Sequence, residues 1–289
     1  MNLGLFIITY MTLLGMDLPG RPDSTLTGDA FSRYIATNHE RSYITVLEGF
    51  GNVDPLYFEA TVSPYYLIRL KEQYRWAIEL NPRMVLRMQR ESSFPIRTPS
   101  YMPAVTYFYN PRMNLDHGRK VLPFVSLVHH SNGQNGDFYT EQGAINTSNG
   151  NFSTNYLELG AFMTRLSPQP QQRRKFCKAY LEYHFANDPH LRGQYGFLRT
   201  NLEFHLIQPL SRGPHTGEPG ARSEKHRIRQ TVRAGWIFGR LEGADALDIQ
   251  ERLTFRFTFS YHPKMAEDLS LFVQYYYGQD YYNIHFSRN

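Results

Sequence analysis

Cysteine is almost absent from this chain: Cys177 is the only one in 289 residues. No intrachain disulfide can form, and no metal centre can be built from cysteines. Long apolar runs are missing too. After Gly15 no stretch stays apolar for the roughly 20 residues that a membrane-crossing helix needs. This excludes a helical membrane protein but not a barrel, whose signal per strand is much weaker. Blocks of like charge are also missing. The net charge is +5, but its Lys and Arg are scattered along alternating segments, which argues against a nucleic-acid partner. No Walker loop, dinucleotide fingerprint, G-x-S-x-G elbow or H-E-x-x-H helix occurs, and the histidines show no paired zinc spacing.

Aromatic residues are plentiful at 15%, with Tyr and Phe dominant and no matching aliphatic excess, which favours strands over helices. Residues 1–15, MNLGLFIITYMTLLG, have the length and apolarity of a signal-peptide core and read as an export signal. Residues 16–41 read as an irregular lead-in, and 42–289 as one all-β unit. Within it, polarity alternates with period two. In 74–89, Trp76, Ile78, Leu80, Met84, Leu86 and Met88 share one face, and Arg75, Glu79, Arg83 and Arg87 share the other. The segment 250–261 repeats this, with Leu253, Phe255, Phe257 and Phe259 opposing Arg252, Thr254, Arg256 and Thr258.

A soluble sandwich can alternate as well. Three features favour a transmembrane barrel: long segments, charges of both signs on the polar face, and tyrosines gathered near segment ends. The expected strands are 42–50, 56–70, 74–90, 101–110, 120–131, 154–166, 174–187, 197–209, 225–240, 250–262, 269–278 and a last one from 281, twelve in all and antiparallel. Because the chain stops at Asn289, that last strand reads as short or truncated. The connection 210–224 is a rather long turn for the periplasmic side.

The stretch VSLVHHSNG, Val125–Gly133, carries the candidate chemistry. In a strand, Val125, Leu127, His129 and Ser131 share the apolar, lipid-directed face, while His130 turns to the interior in a structural role. Asn155 lies on the matching face of the next strand. Residues two apart sit about 6.8 Å from each other along a strand, and neighbouring strands lie about 4.8 Å apart. His129, Ser131 and Asn155 can therefore meet at one end of the sheet. Such a row can act as nucleophile (Ser131), base (His129) and orienting amide (Asn155). The plainer alternative is three ordinary interfacial polar residues, but polar groups clustered towards lipid are costly and commonly functional.

Three stretches resemble one family. HHSNG, His129–Gly133, is similar to the His-x-Ser-Asn-Gly signature of the outer membrane phospholipase A family, and NFSTN, Asn151–Asn155, stands where that family has a segment ending in its triad Asn. SSFPIRTPSYMPAVTYFY, Ser92–Tyr109, resembles its surface loop and following strand, and LFVQYYYGQDYYN, Leu271–Asn283, its last hairpin. The resemblance implies a twelve-stranded outer-membrane barrel that hydrolyses sn-1 and sn-2 acyl esters of phospholipids, with Ser131, His129 and Asn155 as the triad. It implies homodimerisation for activity and calcium as cofactor, held by the backbone oxygens of Ser93 and Gln134 and by the side chain of Asn151. The connection from Gly133 to Asn151 is longer than the family's, so Asn135, Asp137 or Glu141 is an alternative loop ligand, and Phe152 replaces the family's Arg. Two rivals stand beside this reading. A lipid A deacylase carries a similar His-x-Ser-Asn motif on an eight-stranded barrel with a Glu as third member. A non-catalytic porin-like barrel would carry the same polar patch without chemistry.

Overall fold

A computed structural model describes residues 28–45, 55–69, 75–93, 95–111, 119–165, 174–210, 227–263 and 269–287. The expected signal segment 1–15 and most of the 210–224 connection lie outside these residues.

The chain is all-β, built on one antiparallel sheet of twelve strands. They are β1 (Tyr43–Ile44), β2 (Leu56–Val62), β3 (Tyr66–Ile68), β4 (Trp76–Gln89), β5 (Ser100–Tyr109), β6 (Arg119–Ser131), β7 (Ser153–Arg165), β8 (Arg174–Asn187), β9 (Leu198–Pro209), β10 (Arg227–Phe238), β11 (Leu253–His262) and β12 (Leu271–Tyr277). Each pairs with its sequence neighbour, except that β2 and β3 both lie along β4. The single strand expected over 56–70 is broken by Ser63-Pro64-Tyr65, because Pro64 has no N–H to give a ladder.

Two expectations are corrected. The strand expected from 281 is instead a 3-10 turn, Asn283–Ser287, folded inward. Tyr282, Ile284 and Phe286 alternate like one strand face, but the intervening Asn283 and His285 are buried too, so neither side of this segment faces outward. The lead-in read as irregular over 16–41 holds a helix, α1 (Gly28–Asn38). Its Phe31, Tyr34 and Ile35 recur at helical spacing and bury against Ala77, Phe108, Leu122, Phe124, Phe162 and Tyr180.

The alternation in sequence becomes an inside-out distribution of polarity. Val105, Val125, Leu127, Leu159, Phe185, Phe204, Leu271 and Val273 are exposed, whereas Glu59, Glu79, Arg87, Lys120, Arg229 and His205 are buried. The sheet curls until its ends meet through side chains. The Tyr43 and Phe272 rings stand 5.3 Å apart, and Arg41 Nη1 donates to His262 Nε2 at 2.6 Å. Arg87 binds Glu59 at 2.7 Å and Asp280 at 2.6 and 2.9 Å. Among the described residues no backbone ladder joins β12 to β1 or β2.

The enclosed face is filled from both ends. α1 closes one end. At the other, Ile284 and Phe286 pack with Phe138, Phe152, Leu191 and Tyr195. Gly278 starts the turn into this closing segment with φ +104°, and an added Cβ would stand 2.2 Å from the Leu253 carbonyl. Asn283 Nδ2 then donates to the Thr98 carbonyl at 2.5 Å and to Ser100 Oγ at 2.9 Å. Burial, aided by the positive Arg87, pushes the His285 imidazole down to about 4. His285 is thus neutral when folded but protonates near 6.5 when released, so its contribution is complete above pH 6.5 and is lost as pH falls towards 4. Amide exchange at 282–286 is expected to accelerate between pH 6.5 and 4, after correction for intrinsic exchange rates. His285→Gln is expected to flatten that dependence.

Candidate active site

β6 and β7 pair along their whole length, and this register sets the site. His129 lies directly opposite Asn155, and Ser131 opposite Ser153. On its other side Ser131 faces Tyr101 of β5. Side chains alternate along β6, so Val125, Leu127 and His129 are exposed while Ser126, Val128 and His130 are buried.

His129 Nδ1 and Asn155 Oδ1 are 2.9 Å apart. An amide oxygen can only accept, so the imidazole proton sits on Nδ1, and Nε2 is left with a free lone pair for a base. Asn155 is aimed by an irregularity in β7–β8 pairing. Asn155 opposes Ala186 and Tyr156 opposes His184, which leaves Phe185 as an extra residue. No hydrogen bond runs from Ser131 Oγ to His129 among those of the described residues. Two members of the expected row are joined, and the third stands two positions along the same strand on the same face. Hydrogen bonds of this kind commonly tighten when substrate binds.

A buried polar layer backs this edge. Thr154 Oγ1 and His184 Nδ1 are 2.8 Å apart, and Glu182 accepts from His184 Nε2 at 2.7 Å. Ser100 Oγ and His130 Nε2 are 3.2 Å apart. His130 therefore belongs to the interior and is on the face opposite to His129.

The connection between β6 and β7 is stapled by Asn132, which is fully buried. Its Nδ2 donates to the Gly150 carbonyl at 2.7 Å, and its Oδ1 accepts from the N–H groups of Gln134 and Phe152 at 3.2 and 3.0 Å. Both ends of the connection are thereby fixed next to Ser131 and Asn155. Gly133 turns the chain with φ +65°, and an added Cβ there would crowd the Tyr101 ring at 3.2 Å.

The expected calcium ligands are only partly gathered. Gln134 and Asn151 lie at the two ends of the stapled connection, with Asn151 N–H bound to the Gly136 carbonyl at 2.9 Å. Ser93 sits in the turn after β4 with φ +70°, and no described hydrogen bond or ion pair links it to Gln134 or Asn151. The alternatives Asn135, Asp137 and Glu141 are all exposed. The structure adds one residue that sequence reasoning missed. Asp188 accepts from Asn151 Nδ2 at 3.2 Å, and its other oxygen accepts from the N–H and Nδ1 of His190 at 2.9 Å each. Its signal was the Asp-Pro pair directly after a strand, a helix-start pattern, and Asp188 does cap the short turn Pro189–Leu191. Among the described residues no group of three or more His, Cys, Asp or Glu is placed to hold a metal.

No protein-family model, no curated protein and no solved structure matches this chain.

Proposed function

We propose that the protein is an outer-membrane phospholipase of A1 and A2 type, embedded as a twelve-stranded antiparallel barrel and acting with a Ser131–His129–Asn155 triad. The observation that carries the reading is the His129–Asn155 bond of 2.9 Å, made on an exposed apolar face with Ser131 alongside. The exposed apolar side chains Val105, Val125, Leu127, Leu159 and Val273, set against a buried charged interior, support the membrane setting, since in a water-soluble sheet the apolar face is the buried one. No helix among the described residues is long and apolar enough to cross a membrane, so strands would do so.

A site opening sideways suits a substrate that arrives within the leaflet. The Ser131 hydroxyl attacks an acyl ester carbonyl and passes its proton to His129 Nε2. Asn155 holds the Nδ1 proton in place and so fixes the tautomer. His129 then protonates the leaving lysophospholipid oxygen, and water activated by the same imidazole releases the fatty acid from Ser131. The Ser131 backbone N–H is one donor for the oxyanion.

Oxygen donors of the type calcium takes stand at the site edge: the Asn151 Oδ1, the Gln134 carbonyl and the nearby Asp188 carboxylate. Asn151 donates its amide nitrogen to Asp188, which leaves its oxygen available. Calcium held there, with Ser93 completing the set as the resemblance implies, would supply positive charge for the oxyanion. Activity as a homodimer, with the exposed apolar side chains of two copies facing each other, is part of the same proposal.

Purified protein in detergent micelles is expected to hydrolyse phospholipid with calcium present and to slow by roughly 100-fold or more in chelator. Undiminished hydrolysis in chelator would remove calcium and its ligands from the account. The absence of hydrolysis under any of these conditions would favour the porin-like reading.

A further inference from the structure

Two guanidinium groups on the enclosed face converge on one carboxylate, and a third lines the same cavity. Arg83 of β4 forms an ion pair with Glu40 through Nη1. Arg256 of β11 stands 3.6 Å from the other Glu40 oxygen. Arg233 of β10 lines the same cavity of about 250 Å³, and among the described residues it reaches a carboxylate only at 3.9 Å, that of Glu203. Among the described residues Arg83 and Arg256 pair with no carboxylate except Glu40. Each guanidinium has five N–H donors in a planar fork shaped for oxyanions. Besides Glu40, Arg83 donates only through Nη2 to Met102 Sδ at 2.8 Å among the described residues, while Arg256 lies over the Tyr276 and Tyr281 rings at 5.4 and 4.6 Å. Among the described residues the buried Arg256 Nε has no acceptor.

Glu40 is not part of a strand. It follows α1 on the segment that closes one end of the enclosed face, and its side chain is half-buried against the cavity. The neighbouring Lys178 is turned over the Phe124 and Tyr180 rings at 4.8 and 4.5 Å, which adds a further positive charge to the lining.

We propose that Arg83, Arg233 and Arg256 form a binding site for a small free oxyanion, phosphate or carboxylate, which the chain's own Glu40 occupies at rest. Three arginines line the site, Glu158 and Glu203 share the cavity wall with them, and Glu40 already fills it with a group of the expected chemistry. It lies on the enclosed face, opposite the exposed apolar residues, so a free oxyanion and not a lipid-borne phosphate is the occupant expected there. The proposal does not depend on the hydrolase reading.

Full-length Glu40→Ala in detergent micelles tests it, with inorganic phosphate as the probe. The variant is expected to melt on the order of 5 °C below wild type. Phosphate at about 20 mM, above a millimolar Kd, is expected to restore most of that loss while wild type scarcely moves. The double variant Glu40→Ala with Arg256→Met is expected not to respond. An equal response of the single and double variants, or none in Glu40→Ala, would overturn the proposal. If Glu40→Ala does not refold in chloride buffer, its refolding yield in phosphate is decisive: recovery supports the site and continued failure overturns it.

Discussion

Ser131→Ala is expected to reduce phospholipid hydrolysis by at least about 10³-fold, because the nucleophile is removed while the oxyanion donors and binding surface remain. The substitution removes one half-buried hydroxyl that makes no hydrogen bond among the described residues, so the melting temperature should hardly change. His129→Ala should fall as far, and the double variant should be no worse than either single, since residues acting as one unit are not additive. Asn155→Ala should lose less, about 10- to 100-fold, because His129 keeps its position on β6 and loses only the partner that fixes its Nδ1 proton. Equal small losses in all three would mean that the row is only interfacial polarity.

The largest expected effect on stability is at Arg87. Its guanidinium is buried, bonded to Glu59 at 2.7 Å and to Asp280 at 2.6 and 2.9 Å, with the Tyr282 ring 4.3 Å beneath it. Arg87→Met would leave two carboxylates without their cation inside the sheet. Breaking one partner of such a buried pair costs about 3–5 kcal/mol. The melting temperature should drop on the order of 10 °C. Asp280 anchors the closing segment, so amide exchange at 282–286 should rise as well. The control is Arg97→Met. Arg97 pairs with Glu91 at 2.8 Å, but both side chains are more than two-fifths exposed, and such a pair is worth about 0–1 kcal/mol. Similar losses in the two variants would show that the Arg87 cluster does not tie the sheet ends together.

What could be read from the sequence divides along physical lines. Period two over 74–89 gives β4 and its inward Arg87, and the same reasoning gives His129 outward and His130 inward on β6. These follow from local geometry, since alternation needs no knowledge of the partner strand. The Arg87–Asp280 pair spans 193 residues, and no spacing rule connects such positions. α1 carried a readable signal in Phe31, Tyr34 and Ile35, but three apolar residues in a polar stretch resemble a loop until the sheet supplies a surface for them. The segment from 281 is expected as a last strand, and the sequence does not show that both sides of 282–286 are enclosed. Asp188 was missed because its tie to Asn151 runs between two loops.

The most direct test of the central claim is covalent labelling. A long-chain sulfonyl fluoride should react with the Ser131 hydroxyl in the micelle-embedded protein, forming the S–O bond and releasing fluoride, and peptide mass spectrometry should find the label there. The same reagent should leave His129→Ala unlabelled at Ser131, because the unassisted hydroxyl is a poor nucleophile. Label on Ser131 that depends on His129 is the predicted result. No label, or labelling that is indifferent to His129, would contradict a catalytic triad on this face.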